Sequence, residues 1–220
     1  MKSREPGPRL LDRIGLHLST GESIDGIWVG TDHDKPELVL NRLREALRSI
    51  KTCDPARYQR VTRDLKRIWA TSIAYEAHFD ARIGCVLSKR YVLAEGTELE
   101  ILAASIVHEA THARLWHCGI RYEEEIRARV EAICVRRGEL AFSAKLPNGD
   151  RVRDWARHSL ATYCVPESLT GAALDKRSDV GAIEELRLLG APEWVIRAIF
   201  FVRPLVRGPI YLTRWIKRRR

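Results

Sequence analysis

Nowhere in the chain do about 18 uncharged apolar residues run together, so a membrane-spanning helix is not expected. The five cysteines (Cys53, Cys85, Cys118, Cys134 and Cys164) contain no C-x-x-C pair and are odd in number. They read as reduced thiols in a cytoplasmic setting rather than as a disulfide framework. The opening MKSREPGPRLLDR lacks the apolar run of a secretory leader, so none is expected. No spacing matches a helix-turn-helix or a zinc finger, which leaves nucleic acid a weak candidate partner. From Arg203 onward acidic residues are missing too, and seven Lys and Arg there carry 7 of the 9 excess positive charges. The remainder is nearly balanced, so the basic character belongs to a tail. With 45% hydrophobic and 30% charged residues, the composition is that of a globular chain with a real core.

What is present centres on Ile101 to Trp116, ILAASIVHEATHARLW, with His108-Glu109-Ala110-Thr111-His112 in its middle. Thr97 followed by Glu100 is a capping-box start, no Pro or Gly interrupts the run, and Gly119 supplies a stop. On a helix His108 and His112 stand one turn apart on one face, and two imidazoles aimed at one point are half of a tetrahedral zinc site. Glu109, rotated about 100° from His108, flanks such a metal without binding it and is placed to take a proton from a bound water. The bland alternative is a buried helix whose two His are hydrogen-bonded core residues. Small neighbours at Ala103, Ala104, Ala110 and Ala113 weigh against it, because they let other backbone come close.

A third ligand must come from elsewhere. The extended H-E-x-x-H-x-x-G-x-x-H pattern is absent, since Leu115 and Cys118 stand at its Gly and His positions. A second helix is expected from Tyr122 to about Ala144, with Ile126, Val130, Ile133 and Cys134 at helical spacing. Glu131, flanked there by Val130 and Ala132, is a carboxylate in apolar surroundings and the favoured ligand. Glu124 shares its face and is the alternative, though Glu123, Glu124 and Glu125 also read as a solvated cluster at the helix start. Cys118 and Cys134 fall near the site but rank below the carboxylate. The Asp32-His33-Asp34 run reads as a solvated turn rather than a ligand set.

A helix bearing H-E-x-x-H, a turn, and a second helix supplying Glu resembles the gluzincin metallopeptidases, especially their compact minigluzincin members, over roughly Lys66 to Pro147. The resemblance implies zinc on His108, His112 and Glu131, with Glu109 as general base and later proton donor. It implies an α+β fold, a zincin-like core with a small β-sheet packed on the H-E-x-x-H helix and a Glu-bearing second helix; along the chain, residues 1–165 are expected to form this domain and 166–220 a helical, basic C-terminal extension. It implies a peptide or protein substrate, aligned by an edge strand that pairs with its backbone; the Arg82 to Leu87 stretch is the expected edge. A Tyr or His that steadies the oxyanion is usual in the family; Tyr122, His117, His158 and Tyr163 are candidates, and none is singled out.

Elsewhere, Met1 to Arg13 reads as a loose arm and Leu16 to Val29 as holding a first strand. Glu37 to Lys51 is a strong amphipathic helix and Tyr58 to Leu65 a short one. Lys66 to Ala74 reads as a strand, Tyr75 to Asp80 as its turn, and Arg82 to Leu93 as a strand or strand pair. Val152 to Tyr163 looks helical, Pro166 to Ser178 like a loop, and Asp179 to Leu189 like another helix. From Pro192 the chain mixes Trp194, Ile196, Phe200, Phe201 and Trp215 with arginines, broken by Pro204, Gly208 and Pro209. Its apolar half packs on the core in one reading and meets an anionic membrane surface in the other. The rivals to a peptidase are a zinc-binding regulator without proteolysis and a membrane or nucleic-acid adaptor working through the tail.

Overall fold

In the computed structural model, residues 7–201 are described. They form an α+β fold on a five-stranded mixed sheet of order β1-β2-β3-β5-β4. The strands are β1 (Thr20–Ile24), β2 (Ile27–Thr31), β3 (Arg67–Thr71), β4 (Ala77–Asp80) and β5 (Gly84–Ser88). β2, β3 and β5 are parallel neighbours, while β1 and β4 run antiparallel at the two edges. Alternation sets the two faces. Ile27, Val29, Ile68, Ala70, Cys85 and Leu87 point into the main core, whereas Trp28, Trp69 and Val86 point to the opposite face. That second face is covered by α1 (Leu10–Leu18), whose Gly15 lies under the Trp69 ring.

On the main-core face lie α2 (Pro36–Cys53), α3 (Pro55–Asp64), the short α4 (Lys89–Leu93) and α5 (Leu99–His117). Leu40, Leu43, Leu47 and Ile50 of α2 are buried, as their spacing requires. α5 is wrapped more completely: Leu102, Ala103, Ile106, Val107, Ala110 and Ala113 are all buried, so the helix that carries the H-E-x-x-H residues runs through the centre. Its start differs from the expected capping box. The N-cap is Glu98 with no side-chain cap bond, and Thr97 is buried. Its end is as expected, with Gly119 at φ 84° and Ile120 N–H bonded back to Leu115 O.

The second helix arrives in pieces: a 3-10 turn Glu124–Ile126, α6 (Arg127–Ile133), a π-helical segment Cys134–Leu140 and α7 (Ala141–Ser143). α8 (Asp150–Thr162), a 3-10 turn Pro166–Leu169 and α9 (Gly171–Leu188) follow. The expected loop from Pro166 to Ser178 is therefore mostly helix. Thr170 caps it by accepting from Ala173 N–H, and the following Gly and Ala are small first-turn residues rather than a break. Residues 193–201 are also helical; Ile196 is buried, while Trp194 and Phe201 are exposed. The rest of the basic tail, and both readings of it, lie outside the described residues. Among those described, no helix is long and apolar enough to cross a membrane.

Three further expectations change. Leu10 to Leu18 is helix where the end of a loose arm is expected; the first strand expected within Leu16 to Val29 is β1, and Asp25-Gly26, both at positive φ, turn a β1–β2 hairpin. The stretch read as a turn, Tyr75 to Asp80, contains β4. The expected edge over Arg82 to Leu87 is instead β5, every residue of which is buried between β3 and β4. β4 has no β-branched residue, which hid it; Ala77 and Phe79 pack against the main core and its four residues are half-buried at the sheet edge.

Candidate metal centre

α5 packs against the π-helical segment, and Gly138 makes the approach possible: a Cβ there would sit 3.2 Å from Thr111 Oγ1 and 3.5 Å from His108 Cα. The result is a convergence of side chains. His108 Nε2 lies 3.1 Å from His112 Nε2 and 3.2 Å from Glu131 Oε2, and His112 Nε2 lies 3.4 Å from Glu131 Oε1. Tetrahedral zinc with bonds of about 2.0–2.2 Å sets its ligand atoms about 3.3–3.6 Å apart. The two imidazoles and the carboxylate edge, at 3.1–3.4 Å, come within a few tenths of an ångström of that spacing. Cys134, one turn after Glu131, belongs to the same neighbourhood: ligand atoms of His108, His112 and Cys134 all fall within 4.8 Å of one another and could hold a metal ion.

The site is not sealed. His108, His112 and Glu131 keep 14%, 12% and 18% side-chain exposure, enough for a small ligand to reach them. They open on a cleft of about 440 Å³ whose other walls include Phe79, Leu115, Trp116, Ile120 and Tyr163. Glu109 also lines it, 5% exposed, with Oε2 free of any hydrogen-bond partner. Burial raises the pKa of that carboxyl. Glu131 goes the other way: burial opposes its ionisation, but hydrogen bonds from His108 and His112 hold it well below the usual range.

One residue the sequence reading missed is Glu139. Its Oε1 accepts from His108 Nδ1 at 2.6 Å, from the opposite side of the ring to Glu131. An ionised carboxylate only accepts, so the proton on Nδ1 is fixed; Nε2, which faces His112 and hydrogen-bonds Glu131, is the ring nitrogen that a metal would take in place of its proton. Burial works against a charged imidazole at His108, yet Glu131 and Glu139 hold its pKa well above the ordinary value. Glu139 follows Arg136-Arg137-Gly138 and so lacks the apolar flanks that marked Glu131, and α-helical spacing does not anticipate the π turn that aims it.

Of the oxyanion candidates, Tyr122 and Tyr163 line the cleft. The Tyr122 hydroxyl donates to Glu131 Oε1, and its ring stands edge-on to His112 at 5.6 Å. His117 lies 3.9 Å from Asp64, and His158 stacks edge-on against Tyr163 at 5.8 Å in a separate hollow beside Trp155. Glu124 is exposed, 3.8 Å from Arg127, and Cys118 is exposed at the end of α5. In the Asp32-His33-Asp34 turn, Asp32 accepts from Thr71 and Lys89 while His33 Nδ1 accepts from Lys35 N–H, so their polar atoms serve the turn.

Opposite the two His, β4 borders the cleft, and its pairing shows which backbone groups are free. Ser88 N–H bonds Glu76 O, and in the antiparallel register His78 and Asp80 likewise face β5. The N–H and C=O groups of Ala77 and Phe79 point away from the sheet. The 3-10 turn and α9 form a roof: Leu169, Leu174 and Arg177 line the cleft, Arg127 donates to Leu169 O, and the Tyr75 hydroxyl donates to Leu174 O. No family model, curated protein or solved structure matches this chain.

Proposed function

We propose that the chain is a zinc-dependent peptidase of gluzincin type, with His108, His112 and Glu131 as metal ligands and Glu109 as general base. The observation that carries this reading is the open triangle of two imidazoles and one ionised carboxylate, with an unpartnered carboxylate beside it in a cleft. When bound, zinc supplies Lewis-acid polarisation of a water and of the scissile carbonyl. Glu109 takes the proton from the attacking water through Oε2 and passes it to the leaving amine, so that no net proton is consumed at the carboxylate. A raised pKa makes it the stronger base for the first of those transfers. Glu139 and Tyr122 act as positioning residues, holding the His108 ring and the Glu131 carboxylate in place. The outward backbone groups of Ala77 and Phe79 pair with a peptide substrate in an extended conformation.

A second reading has its own observation. With Cys134 in reach of both His, a fourth protein ligand would close the site and make the metal structural. The Cys134 thiol is fully buried and burial pushes its pKa up, so a coordinating metal would have to draw off its proton. Metal analysis separates the two. The purified chain is expected to hold about one zinc, and Cys134→Ala is expected to keep it. Glu109→Gln is expected to keep the metal and lose peptide hydrolysis; retained hydrolysis refutes the assignment of the base. Loss of zinc in Cys134→Ala, with the fold intact, points to the closed site instead.

A further inference from the structure

On the far side of α5 from the metal ligands lies a second concavity, about 360 Å³, between α3, α5 and the π-helical segment. Five of its ten lining residues are arginines: Arg57, Arg60 and Arg63 from α3, Arg114 from α5, and Arg137. Its one acid, Asp64, is taken by Arg63 at 2.7 Å. Arg57 is held by Asp54 at 2.9 Å and donates to the carbonyls of Arg137 and Gly138. Arg60, Arg114 and Arg137 are exposed, and among the described residues no carboxylate lies within ion-pair distance of them.

Residues 1–202 carry a net charge of only +2, since the total is +9 and the segment from Arg203 holds +7. With Arg63 paired to Asp64 and Arg57 to Asp54, the three remaining guanidinium groups of one groove are a local concentration in an otherwise balanced body. Like charges brought together repel one another, and the floor of Val61, Val107 and Ala110 is apolar, which focuses their field outward into the groove. Guanidinium forks from three elements suit an acceptor with several oxygens on one compact centre, and the groove's size suits a small molecule rather than a macromolecule.

We propose that this groove binds a compact polyanion of phosphate type, with Arg60, Arg114 and Arg137 as its principal contacts. The site is independent of the proposed hydrolysis, since none of these residues lines the metal cleft.

Inorganic pyrophosphate is the probe, titrated by calorimetry into the full chain at fixed ionic strength, with zinc content measured before and after to exclude metal stripping as the source of heat. Saturable binding at one site is expected. Arg60→Gln/Arg114→Gln is expected to loosen it about tenfold or more, because charge-assisted hydrogen bonds are lost. Arg153→Gln/Arg157→Gln, the same charge change on α8 outside the groove, is expected to leave it unchanged. Absence of saturable binding, or equal loosening in both variants, overturns the proposal. So does capture by long DNA without pyrophosphate binding. Vesicles carrying a phosphomonoester headgroup distinguish the sources: capture lost in the groove variant assigns a lipid headgroup, and pyrophosphate binding without such capture assigns a free phosphate compound.

Discussion

At the scale of single residues, the proposed centre depends on what surrounds its proposed ligands as much as on the ligands themselves. A buried imidazole is free to rotate and to change tautomer unless its second nitrogen is held, and at His108 that is done by Glu139 at 2.6 Å. Glu139→Gln keeps the shape but replaces a charged acceptor with a neutral amide. Its zinc affinity, measured by competition with a chromophoric chelator, is expected to fall about 10- to 100-fold while the circular dichroism spectrum stays the same. Unchanged affinity would reduce Glu139 to a core residue. Glu109 makes the opposite prediction, with zinc retained and turnover lost, so the two substitutions separate holding the metal from using it.

At the scale of elements, the close approach of α5 and the π-helical segment brings Glu131 and Glu139 to His108. Gly138→Val places a branched side chain where even a Cβ stands 3.2 Å from Thr111 Oγ1. It is expected to cost roughly 1–3 kcal/mol in a denaturant titration and to lower zinc occupancy as the two helices part. β4 gives a test of the substrate edge. Because the Ala77 N–H points away from β5, Ala77→Pro removes no sheet bond but blocks a peptide's pairing. A raised KM with the zinc retained is the expected outcome; unchanged kinetics would place the substrate elsewhere. These elements also mark what the sequence disclosed. The spacing of His108, Glu109 and His112 needs only a helix, and the apolar neighbours of Glu131 are legible without tertiary structure. Glu139 was not legible, because a π turn changes which residues share a face. Nor was β4: four residues without a β-branched side chain carry almost no periodicity, and pairing with β5 makes them a strand.

At the scale of the whole molecule, the cleft is assembled from parts of unequal stability. Its floor is α5, buried on most sides, and the sheet beneath it, while its roof is α9, of which only Gly181 is buried. α2, by contrast, buries six residues of its length in the main core. Local opening follows buried apolar contact, so the roof opens at lower free energy than the floor. Backbone amides of Gly171–Leu188 are expected to exchange with deuterium sooner than those of Pro36–Cys53 and Leu99–His117 under native conditions. Gly181 holds the roof down by close packing, since a Cβ there would stand 2.0 Å from Ala74 O. Gly181→Val should therefore quicken exchange across α9 while leaving α2, α5 and the zinc content as they were. Exchange in α9 as slow as in α2, or loss of zinc with the roof, would mean that cleft and cover unfold as one unit. In that event a substrate would have to reach the two His without the roof moving.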